Sequence, residues 1–454
     1  MGDLVSKEAV PDVPKVTPAF NDIMISDRYG SEKAEDVSWR RLHDAIVNND
    51  IERCRSILRD NIYPGNMHSL DSWINSHPRG GGRFTRTAPP LHLACMHRRP
   101  QIVKLLLENG ANPYSWDNFG RCAVAVLLEY WPRISVDWEE MGDTAKKSRE
   151  EEEFKTRVWQ QHQRSLGCLR HLLNAGFDVR VAASTCQKQS VLHLCGKFDL
   201  SEPVNMFLER GADLEARDYE GRTPLLYAAS IAHGNVYQEL LTCGADVSSS
   251  DYCERQVLHY LCDNPSNHHS LVTHTINRGA RVNALDFTGD SPLHRAAKNG
   301  SPEHIRVLLH LGADPDSLNN RGRSPLFLLL HRREKIVMAS FLPLLMTSCR
   351  IRIRDNDGDM PMLLKRRGFS DLSRRLEELS STPPSLMRTC LVKIRATLGI
   401  ERCEMGVVDC LPLPKVLQDG VLGSDELCLI AANIHPIFLL ETRADNLSTD
   451  LSGS

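Results

Sequence analysis

No Cys-x-x-Cys pair, no surplus of either charge and no long apolar run occurs in this chain of 454 residues. Without paired cysteines, zinc knuckles and redox dithiols have no ligands to build on. The 14 cysteines are scattered instead, and Cys95, Cys195 and Cys262 fall inside apolar helical patterns, where a reduced thiol packs as a small hydrophobe. That usage points to a reducing compartment, cytoplasm or nucleus. The 55 Lys and Arg nearly balance the 58 Asp and Glu, for a formal charge of -3, so no overall basic field exists to hold nucleic acid or anionic lipid. The N-terminus lacks the apolar core of a secretory signal, and no stretch reaches the roughly 18 uninterrupted apolar residues that a bilayer demands. A soluble intracellular protein without nucleic-acid or membrane partners is expected. Met1-Gly2 with Ser6 meets the outline of a myristoylation start, but Asp3 beside the glycine is a poor context. Walker-type phosphate loops and the HExxH zinc helix are missing as well, so neither an enzyme nor a cofactor is expected.

What the chain does contain is a period. A Gly-x-Ser/Thr-Pro-Leu core stands at Gly221-Arg222-Thr223-Pro224-Leu225, Gly289-Asp290-Ser291-Pro292-Leu293 and Gly322-Arg323-Ser324-Pro325-Leu326, with weaker copies starting at Gly120 and Gly358. Leu192, Leu225 and Leu258 lie 33 residues apart, and Leu258, Leu293 and Leu326 follow at 35 and 33. Each copy continues into an amphipathic helix, a break, a second helix such as Ile305-Arg306-Val307-Leu308-Leu309, and a Gly-Ala-Asp/Arg close at Gly211, Gly244, Gly279 and Gly312. The Ser/Thr hydroxyl caps the first helix, the proline suits its first turn, and the closing glycine takes the left-handed conformation that ends the second.

Pro292-Leu293-His294-Arg295-Ala296-Ala297 and Pro90-Leu91-His92-Leu93-Ala94, with the Gly-Ala-Asp closes, resemble the ankyrin repeat. The resemblance implies an all-α solenoid of about nine units over residues 38–379, following an N-terminal segment, 1–37, expected to be disordered. Two insertions interrupt it. One, near 63–87, contains Gly80-Gly81-Gly82; the other, near 130–165, carries Glu139-Glu140, Lys146-Lys147 and the acidic run 150–153 before a second helix resumes at Cys168. A solvated helical excursion laced by i,i+4 charge pairs accounts for the latter, and a target-contacting decoration is the alternative.

His92, His193, His259 and His294 share one slot of the repeat. Separation by a repeat step keeps them from converging on a metal, so hydrogen bonding between neighbouring loops is expected of them. Cys195 stands two residues after His193, but i and i+2 point to different helix faces. The pair therefore makes a poor nucleophile and base.

Beyond a Ser/Pro break at 380–384 a different pattern begins. Leu386, Cys390 and Ile394 lie on one helical stripe with Ser385 and prolines at its start, and Leu411-Pro412-Leu413-Pro414, Leu417 and Val421 follow across a polar linker. A small sulfur-bearing residue at the centre of such a stripe permits close docking in a partner groove. This segment, 380–423, looks like a SOCS box, and with the repeats it looks like the ankyrin repeat and SOCS box family. By that resemblance Ser385, Leu386, Cys390 and Ile394 bind elongin C within elongin B/C. Leu411, Pro412, Leu413, Pro414, Leu417 and Val421 face cullin-5 with its RING subunit. Gly420 stands where family members usually carry an aromatic, and a tail expected to be flexible, 424–454, follows the box.

The function so implied is that of the substrate-recognition subunit of a ubiquitin ligase, non-catalytic itself, which carries a protein target toward ubiquitination and degradation. An ankyrin scaffold or signalling inhibitor that never enters a ligase is the rival. For the target, the slot after Asp218, Asp251 and Asp286 is filled by Tyr219, Tyr252 and Phe287, where polar residues are usual. Aligned aromatics are expected either to serve as hot spots or to fold onto neighbouring loops.

Overall fold

Apolar residues recur on one face of each short helical segment, and a helix of two or three turns cannot bury such a stripe alone. Stacking does it for them. The computed structural model describes residues 34–60, 88–132, 149–184, 187–231, 233–264, 269–332, 338–366 and 369–381. Nearly every element in them is a helix of an antiparallel pair: α1 (Ala34–Val47) with α2 (Ile51–Asp60), α3 (Pro90–Met96) with α4 (Pro100–Glu108), and α5 (Ala123–Glu129) with α6 (Arg149–Asn174). The series continues with α7 (Val191–Phe198) and α8 (Glu202–Leu208), α9 (Pro224–Ile231) and α10 (Gly234–Thr242), and α11 (Val257–Asp263) and α12 (His269–Asn277). It ends with α13 (Pro292–Asn299) and α14 (Pro302–His310), α15 (Pro325–Leu330) and α16 (Met338–Thr347), and a closing helix, α17 (Ser370–Ser381). Successive first helices α1, α3, α5, α7, α9, α11, α13 and α15 pack against one another in order. Extended backbone pairs only as isolated bridges among the described residues, such as Ser250 with Gln256. The architecture is an all-helical solenoid.

One buried cluster runs the whole length, from Leu42 through Leu91, Leu192, Leu225, Leu258, Leu293 and Leu326 to Leu376. The caps that begin the helices follow the sequence closely. Ser291 Oγ accepts from the His294 amide and Ser324 Oγ from the Phe327 amide at 3.2 Å, with Pro292 and Pro325 in the first turn. At the other end, Gly312 (φ 90°) turns the chain so that the Ala313 amide donates to Leu308 O at 2.9 Å. That bond satisfies a carbonyl the helix itself cannot.

Three boundaries differ from the sequence reading. Helix α1 begins at Ala34, inside the N-terminal segment, and α17 runs on through Ser380 and Ser381, where the Ser/Pro break was placed. The larger insertion does not end before a separate helix at Cys168. Helix α6 is continuous from Arg149 to Asn174, so the acidic run and the repeat's own second helix are one rod. The rod is tied down as well as solvated. Trp131 Nε1–H donates to His162 Nδ1 at 3.0 Å, the far ring nitrogen of His162 meets the Glu202 carboxylate on α8, and Arg98 spans from Tyr130 O (2.7 Å) to Gln161 Oε1 (3.1 Å). The smaller insertion, 63–87, lies outside the described residues, as do 1–33 and everything from 382 onward. No helix of the described residues is long and apolar enough to cross a membrane.

Candidate protein-binding face

Each unit reaches its first helix through a tight turn, and the turns are built around a buried carboxylate. Asp218 Oδ1 accepts from the amides of Glu220 and Arg222, both at 2.9 Å, while Oδ2 takes the Arg222 guanidinium at 2.9 Å. Asp117 with Arg121 and Asp251 with Arg255 repeat the clasp at the same spacing. The arginine also lies over the ring of the helix that follows, 4.7 Å from the Tyr227 centroid for Arg222 and 4.7 Å from that of Tyr260 for Arg255. Burying a carboxylate is costly unless it is paired and hydrogen-bonded, and these are both. Where the pattern varies, it varies together. Asp290 occupies the arginine position of its turn, and Asp286 is matched instead by Arg295 from α13. Burial alone would raise the Asp286 carboxyl, but the Thr288 hydroxyl and the Arg295 guanidinium outweigh it and hold it below the usual carboxylate range. In the next turn Asn319 carries no charge, and Arg323 reaches forward to Asp355 at 2.8 Å.

The shared histidines stitch unit to unit. His193 Nδ1 accepts from the Ser190 amide at 3.3 Å, and its Nε2–H donates to Arg222 O in the following turn at 2.8 Å. His294 repeats this with Ser291 (3.1 Å) and Arg323 O (3.0 Å), and His259 with Gln256 (3.0 Å) and Asp290 O (3.1 Å). His92 Nε2 lies 3.0 Å from Arg121 O. Burial pushes His193, His259 and His294 below the ordinary imidazole range, which favours the neutral ring, and the two bonds set its tautomer. Burial also pushes the Cys195 thiol up, so it stays protonated and packs as a core residue.

A second stitch runs along the turn tips. The amides of Tyr219, Tyr252, Phe287, Asn320 and Asn356 donate to the carbonyls of Gln187, Glu220, Cys253, Thr288 and Arg321 respectively, at 2.9 to 3.2 Å. With the backbone held this way, the side chains in that slot emerge in one row. Tyr219, Tyr252 and Phe287 are 63%, 69% and 72% exposed. Tyr252 is partly laid down as well. Gly221 (φ 76°) has no side chain in its way, and a Cβ there would meet the Tyr252 ring at 2.6 Å. The ring therefore rests on the preceding turn while most of it stays open to solvent.

Register alone overlooks other exposed apolar residues. Phe119 is 56% exposed but stands one place later in its turn, after Asp117-Asn118. Leu285 and Leu318 each precede the turn Asp or Asn, and Phe154 and Trp159 protrude from the added turns of α6. The signal for Leu285 and Leu318 is the same alignment, extended one residue backward. The row of large apolar side chains left in solvent at a structured edge makes this a candidate interaction face. By contrast, Ser385, Leu386, Cys390 and Ile394, and the second set at Leu411, Pro412, Leu413, Pro414, Leu417 and Val421, lie outside the described residues.

Comparison with known proteins agrees with the repeat architecture. A family model for three ankyrin repeats matches residues 161–251 and 252–361, and a single-repeat model matches 88–118. The mouse B-cell lymphoma 3 protein homolog is 26% identical over 295 residues, 64% of this chain and 48% of that protein. The transient receptor potential cation channel subfamily A member 1 of Drosophila melanogaster is 32% identical over 139 residues, 29% of this chain and 12% of the channel. Human neurogenic locus notch homolog protein 1 is 34% identical over 143 residues, 31% and 5% of the two chains. The chain thus spans about half the length of the B-cell lymphoma 3 proteins it matches and far less of the others. Units stacked from residue 34 to 381, with paired helices, histidine stitches and turn clasps repeating at one period, place the chain in the ankyrin repeat family, whose members serve protein–protein interaction.

Proposed function

We propose that the chain is the substrate-recognition subunit of an elongin B/C, cullin-5 and RING ubiquitin ligase, with the repeats holding a protein target. The observation that carries the target-binding half is the row of exposed Tyr219, Tyr252 and Phe287 on hydrogen-bonded turn tips. Aromatic anchors on a rigid frame lose little side-chain entropy on binding, which is why few residues of this type dominate interface energies. The ligase half is supported by sequence alone: Ser385, Leu386, Cys390 and Ile394, then Leu411-Pro412-Leu413-Pro414, Leu417 and Val421, all beyond the last matched repeat at residue 361. Such a subunit acts by raising the effective concentration of a target lysine near charged ubiquitin, and no chemistry of its own is needed.

The ligase half is tested with the full chain and purified elongin B/C. Leu386→Ala removes an apolar anchor worth about 2–5 kcal/mol by comparison with buried truncations, so affinity falls by about 30-fold or more. Unchanged binding, or no binding by the wild-type chain, would transfer the assignment to a repeat scaffold that acts without a ligase.

A further inference from the structure

Between α13 and α15 and the two turns above them lies an open groove of about 840 Å³. Among the described residues, five cations line it, Arg295, Lys298, Arg321, Arg323 and Arg332, and one carboxylate, Asp290. Arg295 and Arg323 are neutralised from behind, Arg295 by Asp286 and Arg323 by Asp355, both acids buried. Lys298 and Arg321 are exposed, Lys298 on α13 and Arg321 on the following turn. Arg332 follows the end of α15. It lies across Gly300, where any Cβ would collide with its guanidinium, so the left-handed glycine (φ 67°) leaves room for that side chain. The groove is also apolar at two points: exposed Phe287 stands at its rim, and Leu328 sits within, one residue from the stacked pair Phe327 and His331. Burial first, and then the charges of Arg323 and Lys365, hold His331 below the usual imidazole range, as a cationic surrounding should.

We propose that this groove binds an extended acidic segment of a partner protein, with carboxylates on Lys298 and Arg321 and an apolar side chain against Phe287 and Leu328. Charge complementarity selects the occupant. A nucleic-acid backbone would need a longer track of positive charge, but the preceding turns carry exposed Glu220 and Glu254, and in the following unit Asp357 is exposed while Arg354 and Lys365 are paired with Glu377 and Asp359. This inference rests on the reading that the turn-tip face holds a protein target, and it names the chemistry of that target.

The test uses the full chain, a fluorescein-labelled peptide rich in Glu and Asp with one Leu, its Gln and Asn counterpart of equal length, and a labelled single-stranded RNA, all read by fluorescence anisotropy. The acidic peptide is expected to bind at least about tenfold tighter than its neutral counterpart and to weaken steeply with salt. The exposed-site variant Lys298→Glu/Arg321→Glu, with an unchanged circular dichroism melt, is expected to lose that preference. Equal binding of the two peptides, a preference that survives the double charge reversal, or RNA binding tighter than the acidic peptide would each overturn the inference. If the acidic peptide fails while replacing Tyr219, Tyr252 and Phe287 by Ser still abolishes capture of cellular targets, the groove inference falls and the target-binding reading stands.

Discussion

At the scale of single residues, the histidines at 193, 259 and 294 do two tasks at once, closing the helix start as acceptors and bridging to the next turn as donors. Both bonds need the neutral ring. Burial lowers the folded-state pKa of all three, so between that value and the unfolded value of about 6.5 the unfolded chain binds more protons than the folded one. Stability is then fully present above about pH 6.5 and is lost as pH falls below it. His97, lowered to about 4 by burial and by Arg99, His43 and Arg98, adds to the same loss between those values. Urea midpoints should fall steadily from pH 7 to pH 5, and His294→Gln should flatten the slope; a pH-independent midpoint would contradict the protonation account. A second residue-scale prediction concerns the turn glycines. Gly221→Ala forces a Cβ into a left-handed turn and against the Tyr252 ring, for a loss of about 1–2 kcal/mol. Glu254 holds the same position one unit later at φ 60°, so Glu254→Gly should relieve strain and stabilise by up to about 1 kcal/mol. Opposite signs in thermal melts are the expected outcome.

At the scale of elements, the short helices were legible because their ends are written in residue types. Ser291-Pro292 and Ser324-Pro325 start helices, and Gly312 stops one, by local physics that needs no tertiary context. The course of α6 was not legible. Its solvated turns and its buried turns share one unbroken rod, and the anchors that hold it come from three separate elements: Trp131 after α5, Arg98 after α3 and Glu202 on α8. Contacts between residues so far apart in sequence leave no periodic trace. His162→Ala should detach the added turns without disturbing the stack. Hydrogen exchange should speed up over 149–165 while protection in α9 to α14 is kept, because a solenoid transmits such changes mainly to adjacent units. Loss of protection throughout would show the rod to be part of the core.

At the scale of the whole molecule, every unit contacts mainly its neighbours, so a row of side chains in one slot becomes a straight-line feature of the surface. That is why alignment of Asp218, Asp251 and Asp286 sufficed to place Tyr219, Tyr252 and Phe287 side by side. The basic groove escaped the same alignment, since Lys298 and Arg321 occupy different slots and the net charge of -3 conceals a local excess. The buried partners of Arg295 and Arg323, which decide how much charge remains at the opening, are visible only in three dimensions. The central claim is that one chain has two separable ends, repeats for the target and residues 385–421 for the ligase. The most direct measurement is quantitative mass spectrometry of proteins captured from cells by three full-length forms: wild type, Leu386→Ala/Cys390→Ala, and Tyr219→Ser/Tyr252→Ser/Phe287→Ser. The account predicts that elongin B/C and cullin-5 disappear with the first variant while targets remain, and that targets disappear with the second while the ligase subunits remain. Capture of the same proteins by all three forms, or absence of elongin B/C from the wild type, would contradict it.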